Sequence, residues 1–227
     1  MDLEFDSFVL AAATGDLGEE PAARERADAV EFRMDLAADP LAALLDYDGE
    51  LPLIATNRVE WEGGEADEGD QRLQDLRVAA EHPSVGAIDV ELATIAGGDD
   101  APLRTIAHAR EHGASVIVSV HDLEETPARE EMARRLDQAL EFGDVGKLAV
   151  TAEGLDDALR LLAVTRGKEN AGDRVATMAM GAAGRHTRAV APVYGSRIGY
   201  APVDPDRAVA PGQYDLATLR ELVDRLR

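Results

Sequence analysis

At 227 residues, with 45 Asp and Glu against 23 Lys and Arg and a formal charge of −22, the chain is long enough to bury a large core and too acidic to seek a polyanion. The absence of Cys excludes disulfides, thiolate catalysis and cysteine-ligated zinc or iron–sulfur centres. No apolar run approaches the roughly 18 residues of a membrane span and the N-terminus lacks the basic region of a signal peptide, so no nucleic-acid partner, no membrane and a cytoplasmic location are expected.

Few Lys, many acids and abundant small residues describe a protein adapted to concentrated salt, which screens the self-repulsion of such a charge. Disorder does not fit, because the 45% hydrophobic residues fall in periodic runs.

Short apolar runs alternate with amphipathic segments along the whole length. Residues 8–13 read as a first strand, followed by a helix over 18–26. A second strand over 28–33 precedes a helical segment at 40–45, and a third occupies 51–56. An acidic loop at 60–68 leads into a helix over 71–81. Strands over 87–92 and 114–120 each precede a helix, at 102–112 and 127–142. The strand ending at Val150 precedes a helix over 155–165, and 174–180 precedes a Gly-rich turn. A last strand lies within 191–200, and 216–226 closes the chain as an amphipathic helix.

Near-continuous apolar strands are those of a parallel sheet covered on both faces. The expected architecture is a single-domain (β/α)8 barrel spanning residues 1–227, with an open doubly wound sheet as the alternative.

Of the 23 basic residues only Lys147 and Lys168 are Lys, and Lys147 falls inside an apolar strand. Burial there strips hydration from the ammonium and pushes its pKa down, the environment of an imine-forming nucleophile. The alternative is a strand-end lysine whose head reaches solvent or Asp144.

In such a barrel, chemistry sits at the C-terminal ends of the strands. Polar residues recur there: Glu31 and Arg33, Arg58 and Glu62, Glu91, His121, Lys147, then Arg188 and Gln213. His121 follows strand five directly, one strand before Lys147, and imidazole can take and return a proton near neutrality. A carboxylate such as Glu31 could orient that imidazole; the alternative is a histidine capped by Asp122.

Other motifs read as structural. His108 and His112 have helical i, i+4 spacing but lack the Glu placement of a zinc-protease motif, so a solvated helix face is expected and no metal. The Gly181 to Gly184 turn could cradle a phosphate but lacks a P-loop ending. Trp61 reads as packing or a lid, and His82 as a cap.

An ordered set of motifs resembles the type I 3-dehydroquinate dehydratase family over essentially the whole chain. Its members are Glu31-Phe-Arg-Met-Asp35, Ile54-Ala-Thr-Asn-Arg58 with Glu62-Gly-Gly64, and Asp89-Val-Glu-Leu92. Ser119-Val-His-Asp-Leu123, Lys147-Leu-Ala-Val150, the stretch from Met180 to Arg188, and Ala210-Pro-Gly-Gln213 follow. The resemblance implies a barrel that dehydrates the small molecule 3-dehydroquinate to 3-dehydroshikimate in aromatic amino-acid biosynthesis, with no cofactor. It implies Lys147 as imine-forming nucleophile, His121 as general acid and base, and Glu31 as its orienter. Arg188 would pair with the substrate carboxylate, while Arg33, Arg58, Glu62 and Gln213 would hold hydroxyls and the lid.

The chain departs from the family pattern at Val120, where many members have Tyr, at Thr187 in place of Ser, and at Val209 in place of the lid serine. A Schiff-base aldolase and a non-catalytic barrel binding a small acid are the competing readings. Oligomeric state is left open, with a homodimer as the candidate.

Overall fold

The computed structural model describes Met1 and residues 3–204 and 212–227. Eight apolar runs form parallel strands: β1 (Val9–Thr14), β2 (Ala29–Arg33), β3 (Leu53–Thr56), β4 (Val85–Glu91), β5 (Ser115–Asp122), β6 (Val145–Thr151), β7 (Val175–Met180) and β8 (Ile198–Pro202). They pair in the order β7-β6-β5-β4-β3-β2-β1-β8. A doubly wound sheet would reverse direction at a switch point, whereas this order simply follows the chain round. The circle closes between β7 and β8 through a short seam, where Val175 bridges Ser196 and Arg197 N donates to Val175 O at 2.7 Å. Ser196 Oγ extends the seam by accepting from Thr177 N at 3.0 Å. The result is a nearly closed (β/α)8 barrel.

The outer layer consists of α1 (Glu20–Ala23), α2 (Pro40–Leu45), α3 (Asp70–Ala80), α4 (Leu92–Ala96), α5 (Ala101–Glu111), α6 (Arg129–Leu140), α7 (Leu155–Ala171), α8 (Gly181–Gly184), α9 (Thr187–Val190) and α10 (Leu216–Leu226). Local signals explain the best-anticipated ends. Asp39 caps α2 ahead of Pro40 by accepting from Ala42 N, and Asp215 caps α10 by accepting from Thr218 N.

Three segments differ from the sequence expectation. The first crossover holds only one turn of α-helix, because buried Glu20 pairs with Arg24 and accepts from the backbone of Glu50 and Leu51, tying the segment to the chain ahead of β3. Helix α7 continues six residues past 165, to a left-handed Gly172, since Lys168 pairs with Asp137 and Asp173 instead of ending the helix in solvent. Leu92 opens α4 and does not extend β4.

Alternation along each strand sorts residues to two sides. Val116, Val118, Leu148 and Val150 pack outward beneath the helices. Ile117, Val145, Ala149, Ala176 and Met178 fill the barrel interior, with Leu3 and Phe5 from the N-terminal segment in the same cluster. Toward the C-terminal ends of the strands the inward positions turn polar, so the barrel is an apolar core below and a charged mouth above. Among the described residues no helix is long and apolar enough to cross a membrane.

Candidate active site

Lys147 and His121 are brought together by register. Lys147 lies beside Ser119 on β5, and His121 lies beside Ala149 on β6, so both side chains are on the inward face one step apart in height. Lys147 is only 4% exposed. Its Nζ donates to Asp89 Oδ2 at 2.9 Å, stands 3.6 Å from Glu31 Oε1, and lies 4.3 Å from the centroid of the Tyr200 ring. The ammonium is therefore partnered by two carboxylates and an aromatic face, not stranded among aliphatic side chains. Neither bland alternative for these two residues holds. Asp144 accepts from Val116 N, and Asp122 receives Arg135 at 2.9 Å.

The carboxylate at His121 is Glu62, whose Oε2 is 2.9 Å from Nδ1. This corrects the expected pairing with Glu31, which accepts from Thr56 Oγ1 at 3.2 Å and faces Lys147. The reason is the loop after β3. Gly63 takes the left-handed conformation at φ 81°, and a Cβ on residue 64 would lie 2.0 Å from the Arg58 carbonyl oxygen. Two glycines thus let the chain fold back on itself and carry Glu62 over the mouth.

Arg58 is the strut beneath both groups. It is buried, its Nη2 donates to Asp89 Oδ1 at 2.7 Å, and its Nη1 donates to Ser119 Oγ at 2.7 Å. The same Nη1 lies 3.1 Å from Glu91 Oε1 and 3.5 Å from Glu62 Oε2. Ser119 Oγ in turn donates to Asp89 Oδ1 at 2.6 Å, and Arg72 holds the other oxygen of Glu91 at 2.9 Å. Arg33 is held by Asp35 in a two-pronged pair at 2.8 and 2.5 Å.

The electrostatics follow from this crowding. Burial pushes the Glu62 carboxyl up to about 8, with Glu91 and Asp89 adding to the rise against Arg58. Burial, with Arg58 and Lys147 nearby, holds His121 well below the usual histidine range. Burial works to raise Asp89 as well, but Arg58, Lys147 and the Ser119 hydroxyl outweigh it and keep that carboxylate ionised. Among the described residues the Arg188 guanidinium makes no hydrogen bond or ion pair, and its buried Nε is unpartnered; burial lowers it to about 10.

Of the nine polar residues singled out at the strand ends, eight, namely Glu31, Arg33, Arg58, Glu62, His121, Lys147, Arg188 and Gln213, line one cavity of about 130 Å³ at the barrel mouth, while Glu91 is buried against Arg58 and Arg72 outside its wall. Val209, the substituted lid position, lies outside the described residues. Tyr200, Met178 and Met180 complete the wall. Asp89, Ser119 and Tyr200 were not anticipated as functional. The available signal was parity: each stands an even number of residues from an inward-facing neighbour in an otherwise apolar strand.

The glycines of the expected phosphate turn have other duties. Gly181 is left-handed at φ 80°, and a Cβ on residue 184 would meet Ala179 at 2.6 Å. Trp61 is 45% exposed on the loop after β3, and His82 caps a turn by accepting from Ser84 N.

A buried lysine, a neutral histidine held by a carboxyl group, and a guanidinium unpaired among the described residues, all in one cavity, are parts for imine and proton-transfer chemistry on a small anion. A model of the type I 3-dehydroquinase family matches residues 13–226. The chain belongs to that family.

Curated 3-dehydroquinate dehydratases of two haloarchaea resemble this chain over essentially their full length. That of Haloarcula marismortui is 58% identical over 99% of both chains, and that of Halobacterium salinarum is 52% identical over 99% of this chain and 100% of its own. Both are halophilic relatives, in keeping with the salt-adapted reading of the composition. Among solved structures, the 3-dehydroquinate dehydratase of Geobacillus kaustophilus HTA426 superposes with a TM-score of 0.85 at 25% identity, over 97% of this chain and 91% of the other.

Proposed function

We propose that the chain, acting as one catalytic unit, dehydrates 3-dehydroquinate to 3-dehydroshikimate through an imine on Lys147. The observation that carries this reading is the cavity in which Lys147, neutral His121 and Arg188, whose guanidinium is unpaired among the described residues, meet.

Arg188 receives the substrate carboxylate, since a buried cation without an anion is costly and a guanidinium fork matches two carboxylate oxygens. Lys147 Nζ, as the free amine, adds to the ring ketone and loses water to give a protonated imine. His121 then takes a proton from the carbon next to the imine, and the electron pair moves onto nitrogen to form an enamine. The enamine expels the hydroxyl on the next carbon, and the imidazolium supplies the proton that makes it water. Hydrolysis of the imine releases product and restores the lysine.

Glu62 orients His121 and receives the Nδ1 hydrogen. Asp89 and Glu31 position Lys147, with Asp89 held in turn by Arg58 and Ser119. Arg33 and Gln213 line the same cavity and would hold substrate hydroxyls. The protein is proposed to work in the cytoplasm, and its charge of −22 disfavours nucleic acid.

The test is intact mass after incubation with 3-dehydroquinate and borohydride. A ligand-sized adduct on the Lys147 peptide, absent from Lys147→Ala, is the expected result. A folded protein that shows no adduct in high salt removes the imine mechanism.

A further inference from the structure

We propose that Glu81, His108 and His112 form a site for one divalent transition-metal ion of the zinc, nickel, cobalt or copper type. The sequence offers only the two histidines, at i, i+4 spacing, His108 in the last turn of α5 and His112 at its C-cap. The fold supplies the third group, because α3 and α5 pack side by side and Glu81, the C-cap residue just after α3, arrives at the last turn of α5.

His108 Nε2 is 3.0 Å from Glu81 Oε1, and the two imidazole centroids are 4.3 Å apart. One ligand atom from each of the three side chains lies within 4.8 Å of the others. Donors bound tetrahedrally at about 2.0–2.2 Å from one ion are roughly 3.3 Å apart, so small side-chain rotations at this exposed surface suffice to enclose one. The ion would replace the hydrogen that His108 now shares with Glu81.

Two further features favour a cation. His112 Nδ1 lies 2.9 Å from the His108 carbonyl oxygen, which can only accept. Nδ1 therefore carries the hydrogen and Nε2 presents its lone pair, the orientation that metal-bound histidines take from their backbone partners. The C-terminal ends of both helices also converge here, each contributing a negative dipole end of about half a charge, in a protein of net charge −22.

Two imidazoles and one carboxylate suit borderline transition metals over magnesium or calcium, and leave at least one position for water. These helices lead into the N-terminal ends of β4 and β5, so the cluster is on the face opposite the catalytic mouth. The ion would therefore staple α3 to α5 and take no part in the reaction.

The experiment is calorimetric titration of the tag-free protein with Zn2+ in molar KCl, which suppresses general attraction to acidic groups, with Mg2+ as control. The expected result is one Zn2+ per chain and a raised melting temperature. Binding should weaken at least tenfold in His112→Ala and in Glu81→Gln, with dehydratase activity unchanged in both. Co2+ should give the visible absorption of a low-coordinate site in the wild type alone. Equal Zn2+ stoichiometry and affinity in the His108→Ala/His112→Ala double variant would overturn the proposal, as would Zn2+ uptake no stronger than that of Mg2+.

Discussion

The chain's two lysines are both buried and both paired with two carboxylates, yet only one stands in a place where chemistry can happen. Lys147 is inside the barrel, between Asp89 and Glu31, with a cavity, a neutral imidazole and a guanidinium unpaired among the described residues around it. Lys168 is in the outer layer, where α7 meets Asp137 on α6 and Asp173 beyond the helix end, and Asp137 is 63% exposed to water. Burial and ion pairing are thus common to a strut and to a proposed nucleophile. Separating them requires what lies on the far side of the ammonium: helix packing for one, an open polar cavity for the other.

The largest effect should come from removing each lysine in turn. Lys147→Ala is expected to lower kcat by roughly 10⁴–10⁶-fold with the fold retained, because it deletes the atom that forms the intermediate. Lys168→Ala should leave kcat within a few-fold and cost about 1 kcal/mol of stability in a denaturant melt, since the acids it leaves are partly solvated. Comparable loss of turnover in both variants would end the distinction.

Arg188→Ala sharpens the same contrast at the substrate end. Removing a buried charge that has no partner among the described residues should cost about 2–4 kcal/mol in kcat/KM, expressed mainly in KM, and slightly stabilise the empty protein. Steady-state kinetics beside a thermal melt measure both. Loss of stability without a KM change would place Arg188 among the struts with Lys168.

The pH profile comes next. With Glu62 protonated, its carboxyl donates to His121 Nδ1, and the ring hydrogen sits on the other nitrogen, where it blocks proton abstraction. With Glu62 ionised, Nδ1 donates instead and the other nitrogen is free. Since burial raises Glu62 to about 8 while His121 stays well below its usual range, kcat/KM should climb with pH until about 8 and then level. Glu62→Gln, whose amide oxygen accepts from Nδ1 at any pH, should abolish that limb and lower the plateau by about tenfold. An unchanged limb in Glu62→Gln would refute this assignment.

The smallest and least local effect is salt. A charge of −22 spread over the surface predicts a melting temperature that rises steadily from dilute to molar KCl, while the buried pairs at Lys147 respond little. Melting that ignores KCl would remove the salt-adapted reading of the acidic composition.

Much of this molecule could be read from the chain itself. Apolar strand runs alternating with amphipathic segments led to the barrel, and the helices expected from 40 and 216 begin at those residues, because capping by Asp39 and Asp215 and alternation act over a few neighbours. The residues around the cavity were legible for the same reason: polar groups at successive strand ends have few places to go except the mouth. Partners were not legible. Glu62 rather than Glu31 holds His121 because two glycines fold the β3 loop over the barrel, and Asp89 meets Lys147 across 58 residues of sequence. Glu81 reaches His108 only because two helices end together. Periodicity and spacing report which face a side chain takes, while register, loop closure and helix packing decide which other side chain it finds there. Those are properties of the closed barrel, and no local stretch carries them.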